Sequence, residues 1–276
     1  MKIIADTATL FAPSEGEAQG LTIIPIDVSI NNKSYKEYAD ISADEFLKHI
    51  QAGGIPSTSQ PALGDMLDVF QSGDEEMLFL TLADGLSGAY QTALSARSCV
   101  PDPQRIHVIN SKTLGGPLRY LAKKAAALNA RGLSAEKIKE ELAVSIESSV
   151  SFVIPEDFDF LRRSGRLTPI TAKVGGALKL LPVLTQTEDK TRIKPIAIKR
   201  SWKSATHTII QRLQAIGVDQ DYLISVSHAG TYEKAVSVVN QIKEVFAATE
   251  TEILSLSPGL MTHGGPGCIV VQAIRK

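Results

Sequence analysis

The chain has 276 residues, 43% of them apolar and 5% aromatic, with a formal net charge of −1. That length holds one large domain or two ordinary ones around an aliphatic core, and the near-neutral charge argues against a general nucleic-acid binder. Cys99 and Cys268 lie far apart and form no CxxC, so neither a disulfide framework nor a zinc site is indicated, which fits a reducing cytoplasm.

The first half alternates strand and helix signals. Lys2 to Ala5 reads as a short strand, and Asp6 ends that apolar run too early for a signal peptide. Thr22 to Ile30 and Lys33 to Tyr35 flank Asn31-Asn32, a hairpin turn pair. Ser42-Ala43-Asp44-Glu45 is a capping-box pattern for a helix carrying Phe46, Leu47 and Ile50 and stopping at Gly53-Gly54. Pro61 suits the first turn of a helix carrying Leu63, Leu67 and Phe70. Met77 to Leu82 is a continuous apolar run, as in a buried parallel strand, followed by a helix from about Ser87. Ile106 to Ile109 reads as the next strand. Leu118, Leu121, Ala125 and Leu128 mark a helix ended by Gly132, and Ser134 starts another carrying Ile138, Leu142 and Ile146. The alternation predicts a mostly parallel sheet with helices on both faces, over residues 1–149.

A second unit, residues 150–276, reads as an α+β domain. Ser151 to Ile154 is a strand, Thr168-Pro169 a helix start, and Val183 to Gln186 with Arg192 to Ile198 a hairpin about Glu188-Asp189-Lys190. A helix follows from Ser201 to Ile216, then a strand from Tyr222 to Val226, a helix from Thr231 to Phe246, and strands at Ile253 to Leu256 and Cys268 to Ala273. The longest apolar stretch, Gly175 to Leu184, is cut by Lys179 and Pro182 and is too short to span a bilayer. Charge is uneven: from Arg162 to Lys203 there are eleven basic residues and two acidic ones, a net of +9, so the remainder carries −10. An anionic ligand or an acidic partner near that stretch accounts for the asymmetry, and so does a solvated basic face.

Three segments suggest an anion site: Ser57-Thr58-Ser59-Gln60-Pro61, Gly85-Leu86-Ser87-Gly88 and His263-Gly264-Gly265-Pro266-Gly267. The first two place hydroxyls ahead of predicted helices, where free backbone N–H groups and the positive end of the helix dipole favour a carboxylate or phosphate. Either residue alone is more often a plain N-cap. The third sets a histidine on a glycine-rich turn, a charge-switchable donor where backbone approaches a ligand closely. His228 follows a strand in Ser227-His228-Ala229-Gly230, and Arg162-Arg163-Ser164-Gly165-Arg166 and Arg200-Ser201-Trp202-Lys203 supply arginine forks for carboxylate or phosphate. Asp6 ends the first strand either as a functional carboxylate or as a cap. There is no GxxxxGK[ST], no GxSxG and no HExxH; Gly175-Gly176-Ala177-Leu178-Lys179 lacks the phosphate-loop spacing.

In order and spacing these segments resemble the DegV family of bacterial proteins, across essentially the whole chain. The resemblance rests on Ile3-Ile4-Ala5-Asp6, Thr58-Ser59-Gln60-Pro61, Leu86-Ser87-Gly88, Asn110-Ser111-Lys112, Leu161-Arg162-Arg163-Ser164-Gly165-Arg166-Leu167, Ser227-His228-Ala229-Gly230 and His263-Gly264-Gly265-Pro266-Gly267. The family includes the fatty-acid-binding subunits of bacterial fatty acid kinase (FakB). The resemblance implies an α/β fold of two domains, an N-terminal mostly parallel sheet with helices on both faces and a C-terminal α+β domain, with the ligand between them. It implies a cytoplasmic, lipid-binding protein of phospholipid metabolism that is not an enzyme by itself. No cofactor or metal is implied, only a long-chain fatty acid as ligand. The implied partner is a separate ATP-dependent kinase subunit, with room for a transient contact with a membrane surface and no nucleic acid.

By the same resemblance Thr58, Ser87 and Gly88 hold the carboxylate, and His263 stands beside it. Arg166 and Arg200 match basic residues for phosphoryl transfer or kinase docking, so the catalytic candidates are His263, Arg200 and Arg166. The chain departs from the family at Asp6-Thr7-Ala8-Thr9-Leu10-Phe11-Ala12, which loses a second acid and a proline. It departs again at Ala83-Asp84 for paired serines, at Ala89 and Gly264 for threonines, and at Asn110 for an aspartate. The alternative is a stand-alone acyl or phosphate-ester enzyme with Ser87 as nucleophile and His263 or His228 as base. A nucleic-acid regulator using the +9 segment is a third reading, disfavoured by the acidic remainder.

Overall fold

A computed structural model describes residues 1–168 and 180–276. The helix start expected at Thr168-Pro169 and the Gly175–Lys179 segment run into residues 169–179, outside the described residues.

The first part contains β1 (Lys2–Asp6), α1 (Pro13–Glu17), β2 (Leu21–Ile24), β3 (Asp27–Ile30), β4 (Lys33–Lys36), α2 (Ala43–Gln51), β5 (Ser57–Ser59), α3 (Leu63–Phe70), β6 (Met77–Thr81), α4 (Ala89–Ser98), β7 (Ile106–Asn110), α5 (Gly116–Ala130) and α6 (Ala135–Ser148). Strands β2-β1-β6-β7 form a sheet with parallel neighbours throughout. Because side chains alternate along a strand, Ile3, Leu78 and Leu80 pack with Leu118, Leu121, Ile138 and Leu142 of α5 and α6, while Ile4, Met77 and Phe79 pack with Met66, Phe70, Ala93 and Ala96 of α3 and α4. The expected parallel sheet with a helical layer on each face is therefore present.

One expected strand is divided. Pro25 interrupts Thr22 to Ile30, and a residue without an N–H cannot continue a ladder. The chain therefore leaves the parallel sheet after β2 and enters a separate antiparallel sheet, β4-β3-β5. Its hairpin turns at Asn31 and Asn32, both with positive φ (54° and 60°), as a two-residue turn of that hand requires.

The second part contains β8 (Val150–Ile154), α7 (Phe158–Ser164), β9 (Leu181–Gln186), β10 (Ile193–Lys199), α8 (Trp202–Ile216), β11 (Tyr222–His228), α9 (Tyr232–Lys243), β12 (Glu250–Ser255), α10 (Pro258–Gly264) and β13 (Ile269–Arg275). Its six strands run in the order β10-β9-β8-β13-β11-β12, antiparallel except for β11 with β12. Along β13 the side chains divide: Val271 and Ala273 pack with Ile209, Leu213 and Val238 of α8 and α9, whereas Ile274 packs with α5 and α6, and Val270 with β3, α2 and α10. The second sheet thus faces its own helices on one side and the first part of the chain on the other. No helix among the described residues is long and apolar enough to cross a membrane.

Candidate functional site

Between the sheets lies a cavity of about 860 Å³, lined by apolar residues such as Leu82, Leu86, Leu114, Val153 and Val270 and by polar ones that include Thr58, Ser87, Arg166 and His263, with Gly88 beside them. The three anion-site segments therefore meet at one cavity, although two of them do so on elements other than those expected. Thr58 is in strand β5, opposite Val28, rather than at a helix start; α3 begins only at Leu63, and its N-cap position, Ala62, offers no side-chain acceptor. Pro61 accordingly precedes the helix instead of opening its first turn. His263 is in α10, not on a glycine turn. Ser257 caps that helix through Leu260 N, Pro258 occupies its first turn, and Gly265 (φ 73°) ends it.

Thr58 Oγ1 and His263 Nε2 are 3.1 Å apart, and His263 Nδ1 is buried without a partner. Burial pushes the imidazole down to about 3, and the nearby Arg166 guanidinium adds to the effect. Burial and Arg166 thus hold His263 neutral, and a carboxylate drawn alongside would favour its charged form. Arg166 donates from Nε to Leu86 O at 3.1 Å and also to Ser164 O, which holds the guanidinium across the cavity wall; burial draws its pKa down, with Arg192 contributing.

Ser87 precedes α4 by two residues. Gly88 takes the N-cap position in place of Ser87, whose Oγ accepts from Ala89 N at 3.2 Å in a local turn ahead of the helix and not as its side-chain cap. A Cβ on Gly88 would stand 2.1 Å from Gln60 Oε1, so only glycine lets Gln60 lie across this helix start, where its Nε2 donates to Thr92 Oγ1 at 2.8 Å. The Asp84 carboxylate is turned from the site: it accepts from Gly85 N at 3.1 Å and from Gln91 Nε2 at 2.9 Å.

Two other candidates do not join the cavity. Arg200 is exposed at the β10–α8 junction. His228 ends β11, where its Nδ1 accepts from Thr231 N at 3.3 Å and its ring meets Tyr232 edge-on. Among the described residues no histidine is hydrogen-bonded to Ser87, so the nucleophile–base pair needed by a stand-alone hydrolase is missing from this arrangement.

Behind these residues lie two buried carboxyls. Asp6 accepts from Ala8 N at 2.9 Å and Leu82 N at 3.3 Å, so it is the cap that its strand-end position allowed; burial raises it to about 6. Glu37 Oε2 accepts from Gly259 N at 2.6 Å at the start of α10, while Oε1 has no partner; burial raises Glu37 to about 7, with Asp6 adding to the rise. Glu37 thereby anchors the helix that carries His263. Nothing in Lys36-Glu37-Tyr38 signals that role, because the partner lies 222 residues away. Elsewhere, on the surface, Glu76, His107 and Glu136 bring ligand atoms within 4.8 Å of one another, but the carboxylates face opposite nitrogens of the imidazole, 2.8 and 3.6 Å away, the geometry of an ion-pair cluster.

Fold and cavity together define a three-sheet α/β protein with a chamber lined by both apolar and polar side chains. The DegV family pattern, described as "Uncharacterised protein, DegV family", matches residues 1–276, and the chain belongs to that family. A DegV domain-containing protein of Clostridium acetobutylicum is 29% identical over 279 residues, covering 98% of this chain and 95% of its own. Among solved structures, DegV of Bacillus subtilis, described as a fatty acid binding protein, superposes with a TM-score of 0.86 at 24% identity, covering 100% of this chain and 99% of its own. A DegV family protein of Thermus thermophilus, described by its fatty acid binding, gives a TM-score of 0.89 at 22% identity with the same coverage. These structures share the fold of the chain.

Proposed function

We propose that this protein is a fatty-acid-binding carrier that buries the acyl chain and presents the carboxylate for phosphorylation by a separate ATP-dependent kinase subunit. The observation that carries the reading is the meeting of Thr58, Ser87, Gly88, Arg166 and His263 at a cavity of about 860 Å³ that is also lined by aliphatic side chains such as Leu82, Leu86, Leu114, Val153 and Val270. The size suits a lipid. Burying each methylene contributes about 0.8 kcal/mol, so a sixteen-carbon chain offers on the order of 10 kcal/mol before association costs. A buried carboxylate must stay paired. Thr58 and Ser87 hydroxyls, the N–H groups at the start of α4 and a protonated His263 supply those partners. In this reading the lobes 1–149 and 150–276 close over the ligand in the cytoplasm, and fatty acid is the ligand without any cofactor.

The carboxylate oxygen attacks the γ-phosphorus of ATP held by the kinase, and ADP leaves. Arg166 balances the charge that develops beside the carboxylate, and His263 orients it. Arg200, exposed outside the cavity, serves the docking of the kinase. Native mass spectrometry and lipid extraction test the binding: a fatty acid should accompany the purified protein. A chain that is reproducibly empty and takes up neither oleate nor palmitate would overturn the reading. With a fatty acid kinase subunit and ATP added, hydroxylamine should trap the acyl phosphate as a hydroxamate; no trapping with a loaded protein would remove the kinase step alone.

A further inference from the structure

One wall of the cavity is more polar than a plain acyl chain requires. The wall can be followed along β13. Cys268, just ahead of the strand, is at the His263 end: a Cβ on Gly264 would stand 2.8 Å from its Sγ. Cys268, Val270 and Gln272 all line the cavity, alternate residues on one face. Opposite them on β8, Val153 pairs with Val270 and Ser151 with Gln272. The lining thus changes from apolar to polar along the strand. At about 3.3 Å per residue the polar pair lies roughly 13 Å from Cys268. That is the reach of about ten carbons of a zigzag chain built from ~1.5 Å bonds.

The hydrogen bonds there are incomplete. Gln272 is fully committed: Oε1 accepts from Gly116 N at 3.1 Å, and Nε2 donates to Leu114 O and to Ser151 Oγ, each at 2.8 Å. Ser151 Oγ is fixed as an acceptor, which leaves its own proton to give. Thr185 Oγ1 donates to Ser151 O at 2.8 Å. Gln186 Nε2 donates to Lys112 O and Lys190 O at 3.2 and 3.3 Å, but its buried Oε1 has no partner. The antiparallel register of β8 and β9, with Phe152 opposite Thr185, puts Ser151 across from Gln186, so a donor and an acceptor stand on neighbouring strands, and a hydroxyl is a group that both accepts and donates.

We propose that the lipid this protein takes is a hydroxylated fatty acid, its hydroxyl roughly ten carbons from the carboxylate, donating to Gln186 Oε1 and accepting from Ser151. The proposal rests on the fatty acid reading above and narrows it. A saturated tail laid along the same wall leaves both groups unpaired, which is the situation in which polar sites discriminate most strongly.

The test compares octadecanoic, 2-hydroxyoctadecanoic and 10-hydroxyoctadecanoic acids by calorimetric or fluorescence-displacement binding to the full chain. The 10-hydroxy acid should bind at least about tenfold more tightly than octadecanoic acid, with no such gain for the 2-hydroxy acid. Gln186→Leu should erase the gain while leaving octadecanoic acid bound as well as before or better; Ser151→Ala should reduce it. Equal or weaker binding of the 10-hydroxy acid, or a preference that survives Gln186→Leu, overturns the proposal while octadecanoic binding keeps the carrier reading intact. Failure of all three acids to bind removes the carrier reading itself.

Discussion

Replacing Glu37 by Gln isolates the energetic cost of the charge buried behind the cavity. Glu37 is fully buried, and its carboxyl is raised from 4.5 to about 7, chiefly by burial, with the Gly259 hydrogen bond opposing the rise and the Asp6 charge adding to it. A folded-state acid held above its unfolded value contributes stability below the unfolded value and loses it as pH rises through the folded one. At about 1.4 kcal/mol per unit, the shift corresponds to about 3 kcal/mol lost between pH 4.5 and pH 7. His263 works in the opposite sense, since a base held near 3 loses stability as pH falls below its ordinary range. The difference between wild type and Glu37→Gln cancels that contribution and the one from Asp6 to first order. Urea midpoints at pH 4, 5, 6, 7 and 8 should therefore show the variant gaining on wild type by about 3 kcal/mol from the acid end to the alkaline end. The glutamine keeps a carbonyl for Gly259 N, so α10 and palmitate affinity at pH 6 should be unchanged. A pH-independent difference between the two proteins would refute the reasoning.

Further outcomes are expected at the cavity. Thr58→Val with Ser87→Ala removes two hydroxyl partners of a charged group, at about 1.5–3 kcal/mol each, so palmitate should bind at least about tenfold more weakly to a folded double variant. Imidazole resonances of His263 should stay in the neutral form down to about pH 4 in lipid-free protein and shift upward in pKa on addition of oleate, read by NMR. Gly88→Ala places a methyl where Gln60 Oε1 lies, so Gln60 must leave Thr92 and loosen the cavity lining at the start of α4, which should speed release of lipid in stopped-flow exchange.

Much of the fold was legible because periodic apolar patterns coincide with local stop and start residues. The helix opened by Ser134 carries Ile138, Leu142 and Ile146 on its buried face, and Ser134 Oγ does accept from Lys137 N. Met77 to Thr81 is buried at every position, as a strand covered on both faces must be. The site was legible as a set of residues and less so as a set of elements. Ser57-Thr58-Ser59 has no alternating pattern, and becomes a strand only because β3 supplies partners. His263 was hidden by its glycines; Ser257-Pro258 was the available sign that a short helix begins there. Glu37 acts across 222 residues and Gln272 across 121 to 158, through burial that no local pattern encodes.

The carrier account is tested most directly by the carboxyl carbon of the ligand. Palmitate labelled with 13C at C1 and bound to the protein should give one sharp carboxyl resonance, titrating below the free acid, that moves or broadens in Thr58→Val and in Ser87→Ala. A carboxyl signal that titrates like the free acid and ignores both substitutions would place the charged end in solvent, and the account would be wrong.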